Sequence, residues 1–205
     1  MKRLAAVLAL AASACGIDPA SSSGGGPFGT TIVAAGGSFP LSAAFGTAVV
    51  GSTTCPLDSG PAPMAYAVLI ASAEGGRCGY LEAGAYKANA RAIELGVLRF
   101  DPTAATTGVT PGQYPILVQP TPGTSHAFLA VSQTYAACTS ADVVATVGVV
   151  TVTATAGGTF QGTVTAALSD GGSVSGAFEA DACSAAVSGD ICSGDFALPS
   201  PTCLP

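Results

Sequence analysis

Residues 150–180 constrain the fold more than any other part of this chain. They hold two x-Gly-Gly triplets, Ala156-Gly157-Gly158 and Asp170-Gly171-Gly172. Around them apolar and polar residues alternate. Over 159–168, Phe160, Gly162, Val164, Ala166 and Leu168 fall on one side, and Gln161, Thr163 and Thr165 on the other. Over 173–180, Val174, Gly176, Phe178 and Ala180 oppose Ser173, Ser175 and Glu179. A period of two marks strands with one buried face. Register then constrains the turns. A two-residue loop would pair even positions with odd ones and put one apolar set into water. A three-residue loop at Asp170-Gly171-Gly172 pairs Leu168 with Val174, Ala166 with Gly176 and Val164 with Phe178, and Gly supplies the positive φ that such loops need. The same logic at Ala156-Gly157-Gly158 pairs Thr155 with Thr159, Ala154 with Phe160 and Val152 with Gly162. The result is a three-stranded antiparallel meander.

Further strands are expected near 30–35, 43–51, 64–72, 91–100, 113–119, 126–135 and 143–155, with one short helical turn at Tyr80-Leu81-Glu82-Ala83. With 27 Gly and 14 Pro among 205 residues, short strands separated by turn formers predict an all-β fold. The architecture expected is an antiparallel β-sandwich or barrel-like domain of about eight to nine strands, with the meander at its C-terminal end.

The N-terminus reads as an export signal. Met1-Lys2-Arg3 is basic, residues 4–12 are apolar, and Ala12-Ser13-Ala14 supplies small residues before Cys15. This is the layout of a secretory signal peptide. The apolar run is far short of the ~20 residues that span a bilayer. Ala12-Ser13-Ala14 suits ordinary signal cleavage. Followed by Cys15 it also resembles a bacterial lipobox, in which the cysteine is acylated and becomes the mature N-terminus. Ala12 stands where a lipobox usually has Leu.

Cysteine parity bears on this choice. The chain has seven: Cys15, Cys55, Cys78, Cys138, Cys183, Cys192 and Cys203. An odd number in an exported protein leaves one without a disulfide partner. If Cys15 carries lipid, six remain for three disulfides. Fifteen connectivities are open. Expected pairs are Cys138 with Cys183 across the meander, Cys192 with Cys203 within the tail, and Cys55 with Cys78. Residues 16–27, rich in Ser and Gly, form a tether spanning roughly 20 Å. Once Lys2 and Arg3 are removed, four basic side chains face twelve acidic ones, a net charge of −8. Such a body is not drawn to anionic lipid by charge, so the lipid must anchor it. It also lacks the basic cluster that nucleic-acid binding needs.

The segments Gly162-Thr163-Val164-Thr165, Asp170-Gly171-Gly172 and Val174-Ser175-Gly176-Ala177-Phe178-Glu179-Ala180, ending at Cys183, carry a resemblance. So do Pro111-Gly112-Gln113-Tyr114 upstream, and Cys78-Gly79-Tyr80-Leu81-Glu82-Ala83-Gly84 followed by Lys87-Ala88-Asn89. Together, over about residues 45–183, the chain resembles a group of uncharacterised myxobacterial lipoproteins. The shared motifs are turn and strand chemistry, so the resemblance implies fold and no activity. Gly16 after the cysteine, by resemblance to Gram-negative lipoproteins, implies the outer membrane as destination.

Catalytic motifs are sparse. His126, the one histidine, reads as a rim residue opening a strand. Ser125 adjoins it but points to the other face, and no G-x-S-x-G elbow occurs. There is no C-x-x-C or H-E-x-x-H, so no metal site is expected. The acids are scattered: Asp18, Asp58, Glu74, Glu82, Glu94, Asp101, Asp142, Asp170, Glu179, Asp181, Asp190 and Asp195. The last three gather in the Cys-rich tail without the spacing of a calcium loop. Trp is absent and the tyrosines are dispersed, which argues against an aromatic sugar platform.

The expected layout is therefore a signal peptide (1–14), a lipidated Cys15 with its tether (15–27), a β domain (28–182) and a Cys/Pro-rich tail packed on it (183–205). The expected role is structural or interactive, not enzymatic. It needs no cofactor, is exported, and is fixed to the bacterial outer membrane through a palmitate-type anchor. Its protein or small-molecule partner is not specified. A ligand-binding β module is the alternative, followed by a hydrolase using the scattered acids.

Overall fold

The structure, a computed structural model, describes residues 30–73, 86–137, 139–155, 159–183, 192 and 203–204. Twelve strands follow in order: β1 (Ile32–Ala35), β2 (Leu41–Ala43), β3 (Phe45–Leu57), β4 (Gly60–Ser72), β5 (Tyr86–Lys87), β6 (Arg91–Phe100), β7 (Gly112–Ile116), β8 (His126–Thr134), β9 (Ser140–Ala154), β10 (Thr159–Leu168), β11 (Ser173–Ala182) and β12 (Cys203–Leu204). One helical turn, α1 (Ala104–Thr107), lies between β6 and β7. The fold is all-β. Ten strands form one sheet, and β12 pairs with β5 in a second, two-stranded one. The turn expected at 80–83 lies outside the described residues.

The sheet is built from two antiparallel runs. In the first, β3 pairs with β4 from Phe45↔Ser72 to Leu57↔Gly60, β4 with β6, and β6 with β8. In the second, β9 pairs with β10 and β10 with β11. The runs meet where Ala130–Thr134 of β8 pair with Ser140–Val144 of β9. They meet again where Asp181 and Ala182 run parallel to Thr47 and Ala48. That second seam is two residues long, so the sheet curls on itself without closing into a barrel. It is also mixed, with parallel pairs at β11–β3 and β7–β8. β1 borders β11, and β2 borders β1.

The meander is present with the faces the alternation requires. Phe160, Val164, Ala166, Leu168, Val174, Phe178 and Ala180 are all buried. The rings of Phe160 and Phe178 lie 4.9 Å apart, tilted by 43°. The register of the second hairpin differs from expectation by two residues. Ala166 pairs with Val174, Val164 with Gly176, and Gly162 with Phe178. The loop is Ser169-Asp170-Gly171, closed by Leu168 N–H donating to Gly172 O at 2.8 Å. Its cause is local. The last loop position needs positive φ, and Gly171 holds it at +85°, as three-residue hairpins require. The Asp170 carboxylate fixes the turn by accepting the Gly172 N–H at 3.0 Å and the Ser38 N–H at 2.5 Å.

The first hairpin keeps the expected Val152↔Gly162 pair, but Gln161 and not Phe160 faces Ala154. Thr153 is an extra residue on β9 there, a bulge that bends the strand. Its loop, 156–158, lies outside the described residues.

The inner faces of both runs share one core, in which Ile32, Leu69, Ile93, Leu95, Val97, Val131, Val150 and Phe160 are fully enclosed. The outer face of the first run is buried as well. Met64, Val68, Ile70 and Leu98 point away from that core and are still buried. Two small clusters account for this: Val49 and Ile70 with Cys183 against them, and Cys55, Met64 and Leu98 with Cys192 against them.

The disulfides depart from the expected set. Cys55 is bonded to Cys192, with Cα atoms 5.3 Å apart, so neither Cys55–Cys78 nor Cys192–Cys203 forms. Short sequence separation favours those two pairings. The deciding feature is instead the run of β11 into β3: Cys183 N–H donates to Ala48 O at 2.7 Å, starting the tail on the outer face that carries Cys55. Cys183 is also disulfide-bonded. Cys78 and Cys138 lie outside the described residues, as does Cys15.

Candidate functional site

The outer face of β6–β8–β9 carries a short polar row beside the apolar outer face of β4. Cross-strand pairing sets its rows. Ala92 of β6 faces Ser132 of β8, and Ser132 faces Asp142 of β9. One row along, Ile70, Glu94, Ala130 and Val144 line up across four strands. Glu94 thus sits diagonal to Ser132 on the same face, and the Ser132 hydroxyl donates to Glu94 Oε1 across 3.4 Å. Ser132 is buried, Glu94 half-buried and Asp142 exposed.

The surroundings of Glu94 are apolar. Ile70 flanks it on β4 and Ala130 on β8. The next residue along that face of β6 is Gly96, where any Cβ would fall inside the ring of Phe128. Burial pushes the Glu94 carboxyl up to about 7, the nearby Asp142 carboxylate adds to the rise, and the Ser132 hydrogen bond opposes it. An acid placed among apolar side chains and beside a second acid is easier to keep protonated. Ser132 belongs to β8, the strand between the two that carry these carboxyls.

The other candidate residues are spread apart. His126 is not on an exposed rim but buried at the start of β8, where its Nδ1–H donates to Thr124 O at 2.7 Å. Ser125 is turned to Phe100, accepting its N–H at 2.9 Å and donating to its carbonyl at 3.3 Å. Serine and histidine therefore do not form a nucleophile–base pair. Arg99 forms an ion pair with Asp101 and donates to Thr107 Oγ1 and Gly108 O, both at 2.6 Å, which pins α1 to the end of β6. Hydrogen bonds from Thr103 are the main reason the Asp101 carboxyl lies below its usual range.

Among the described residues, no group of three or more His, Cys, Asp and Glu is placed to hold a metal ion. Asp190 and Asp195 lie outside those residues. In the sequence Glu94 and Asp142 are two scattered acids with no shared motif. The signal that could have singled out Glu94 is its position as the one acid within the apolar stretch Ala92-Ile93-Glu94-Leu95-Gly96-Val97-Leu98.

No known family model matches the chain, and no curated protein or solved structure does either. The functional reading therefore rests on the residues themselves.

Proposed function

We propose that this chain is an exported lipoprotein. On this reading its β domain is held at the cell envelope by lipid on Cys15 and serves a structural or interaction role without catalysis. The observation that carries the reading is the state of the body cysteines: Cys55, Cys183 and Cys192 are all disulfide-bonded. Disulfides persist in oxidising compartments and are rare in the cytosol. An even number of body cysteines leaves Cys15 as the odd one, at the end of an apolar leader and before a Ser/Gly tether. Thr31 N–H donates to Ala177 O at 2.8 Å, and Thr30 Oγ1 donates to Glu179 O at 2.9 Å, which holds the first described residues against β11.

The test is metabolic labelling with a clickable palmitate in a Gram-negative host. Wild-type chain should take up label and fractionate with the outer membrane, whereas Cys15→Ser should remain unlabelled. Equal label in both, or none in either, would overturn the assignment of the anchor.

A further inference from the structure

We propose that the row Glu94–Ser132–Asp142 is a proton-operated fastening across the joint between β8 and β9. A neutral Glu94 lets the joint stay shut. An ionised Glu94 drives Asp142, and β9 with it, away from β6.

The joint has shorter pairing than the strands within either run, although the inner faces of the two runs share one core. The antiparallel run β3–β4–β6–β8 and the meander β9–β10–β11 are each paired along most of their strands. Between the two runs there are five residue pairs at β8–β9, two at β11–β3, and the bridge through β7 at Ile116↔Ala127. Glu94 belongs to the first run and Asp142 to the second, with Ser132 between them. Repulsion between the two acids therefore acts across the joint and not within one run.

Among the described residues no cation neutralises it. The titratable side chains that the described strands present to this face are Tyr66 from β4, His126 from β8 and Asp142 from β9, and β2 presents none. Arg91, at the start of β6, is committed to Gln133 Oε1 at 2.6 Å and Pro40 O at 3.0 Å. Among the described residues Glu94 has no cationic partner. A half-buried charge without one is disfavoured, consistent with the raised proton affinity of Glu94. When the proton leaves, it passes to solvent and two like charges face each other over Ser132.

Hydrogen exchange on the full chain, read as protection factors from about pH 6 to about pH 8, tests this. In wild type, amides of 130–134 and 140–144 should lose about tenfold or more in protection over that range, while the β10–β11 hairpin holds its own. Glu94→Gln should abolish the loss. If Glu94→Gln does not fold, carboxyl-carbon NMR decides: Asp142→Asn should lower the titration midpoint of Glu94. The proposal is overturned by the same pH response in wild type and Glu94→Gln, by a loss spread evenly over the meander, or by a Glu94 midpoint that ignores Asp142→Asn.

Discussion

Cys55 and Cys192 are 137 positions apart in sequence and joined by a disulfide that holds their Cα atoms 5.3 Å apart. Cys55 is fully buried on β3, and the Cys55 sulfur lies 3.7 Å from Met64 Sδ. The bond thus holds Cys192 on the outer face of the first run, against the buried Met64 and Leu98. Its loop is long, so its effect on the unfolded chain is large.

Replacing Cys192 with Ser should cost about 2–5 kcal/mol, since a closed loop of this size restricts the unfolded chain by roughly 5 kcal/mol. Denaturant melts of wild type and variant measure the difference. Non-reducing peptide mapping should recover Cys55 and Cys192 in one linked pair.

Phe178→Ala should cost about 3–5 kcal/mol, because it removes a buried ring packed against Phe160. The exposed Thr163→Ala on the neighbouring strand should cost well under 1 kcal/mol. Gly162→Ala should fall between these, about 1–3 kcal/mol, because a Cβ there would lie 2.2 Å from Thr151 O and 2.6 Å from Phe178 Cζ. The Phe178 and Thr163 melts check the faces, and the Gly162 melt checks the close approach of Thr151 and Phe178 to that position.

The difference between the observed β10–β11 pairing and the expected one shows how far sequence alone reaches. Alternation in Phe160–Leu168 and Val174–Ala180 specifies faces, because a one-residue slip would expose every apolar side chain. A two-residue slip keeps the faces, so alternation cannot detect it. The choice falls to the turn, where both Gly171 and Gly172 are chemically suitable and the Asp170 hydrogen bonds decide. Cys192 was harder still, because its partner depends on where β11 delivers the tail. Prolines obscured the far end of the β3–β4 hairpin: Pro56, Pro61 and Pro63 argue against strand, yet Pro56↔Pro61 and Thr54↔Pro63 pair. Two-sided burial of β4 was legible in Met64-Ala65-Tyr66-Ala67-Val68-Leu69-Ile70-Ala71, an apolar run without alternation. The Glu94–Asp142 relation required three strands to be placed in register and had no linear signature.

Gly171→Ala should destabilise by about 1 kcal/mol, as a side chain is forced into positive φ. Asp170→Ala should lower the melting temperature too, through loss of the bonds from Ser38 and Gly172. Those bonds hold the Asp170 carboxyl below its usual range. Their contribution is therefore present above the ordinary carboxylate range and fades as pH falls through the folded value. Thermal melts of Asp170→Ala and wild type should converge in acid.

Glu94 acts with the opposite sign. Its proton affinity is raised from 4.5 to about 7, so between those values the folded chain holds a proton that the unfolded chain has lost. Stability then falls as pH rises through that window and levels off above it. Glu94→Gln removes this dependence. The stability of the variant relative to wild type should increase by about 2–3 kcal/mol between pH 4 and pH 8, measured as paired denaturant melts.

The central claim, an exported and lipid-anchored disulfide-tied domain, is tested most directly by intact-mass spectrometry of the chain extracted from membranes, with and without reduction. The account predicts a mature form beginning at Cys15, heavier by its acyl groups, whose mass rises by six hydrogens on reduction as three disulfides open. A chain that retains Met1, or begins at Cys15 without lipid, or shows no mass change on reduction, would contradict it.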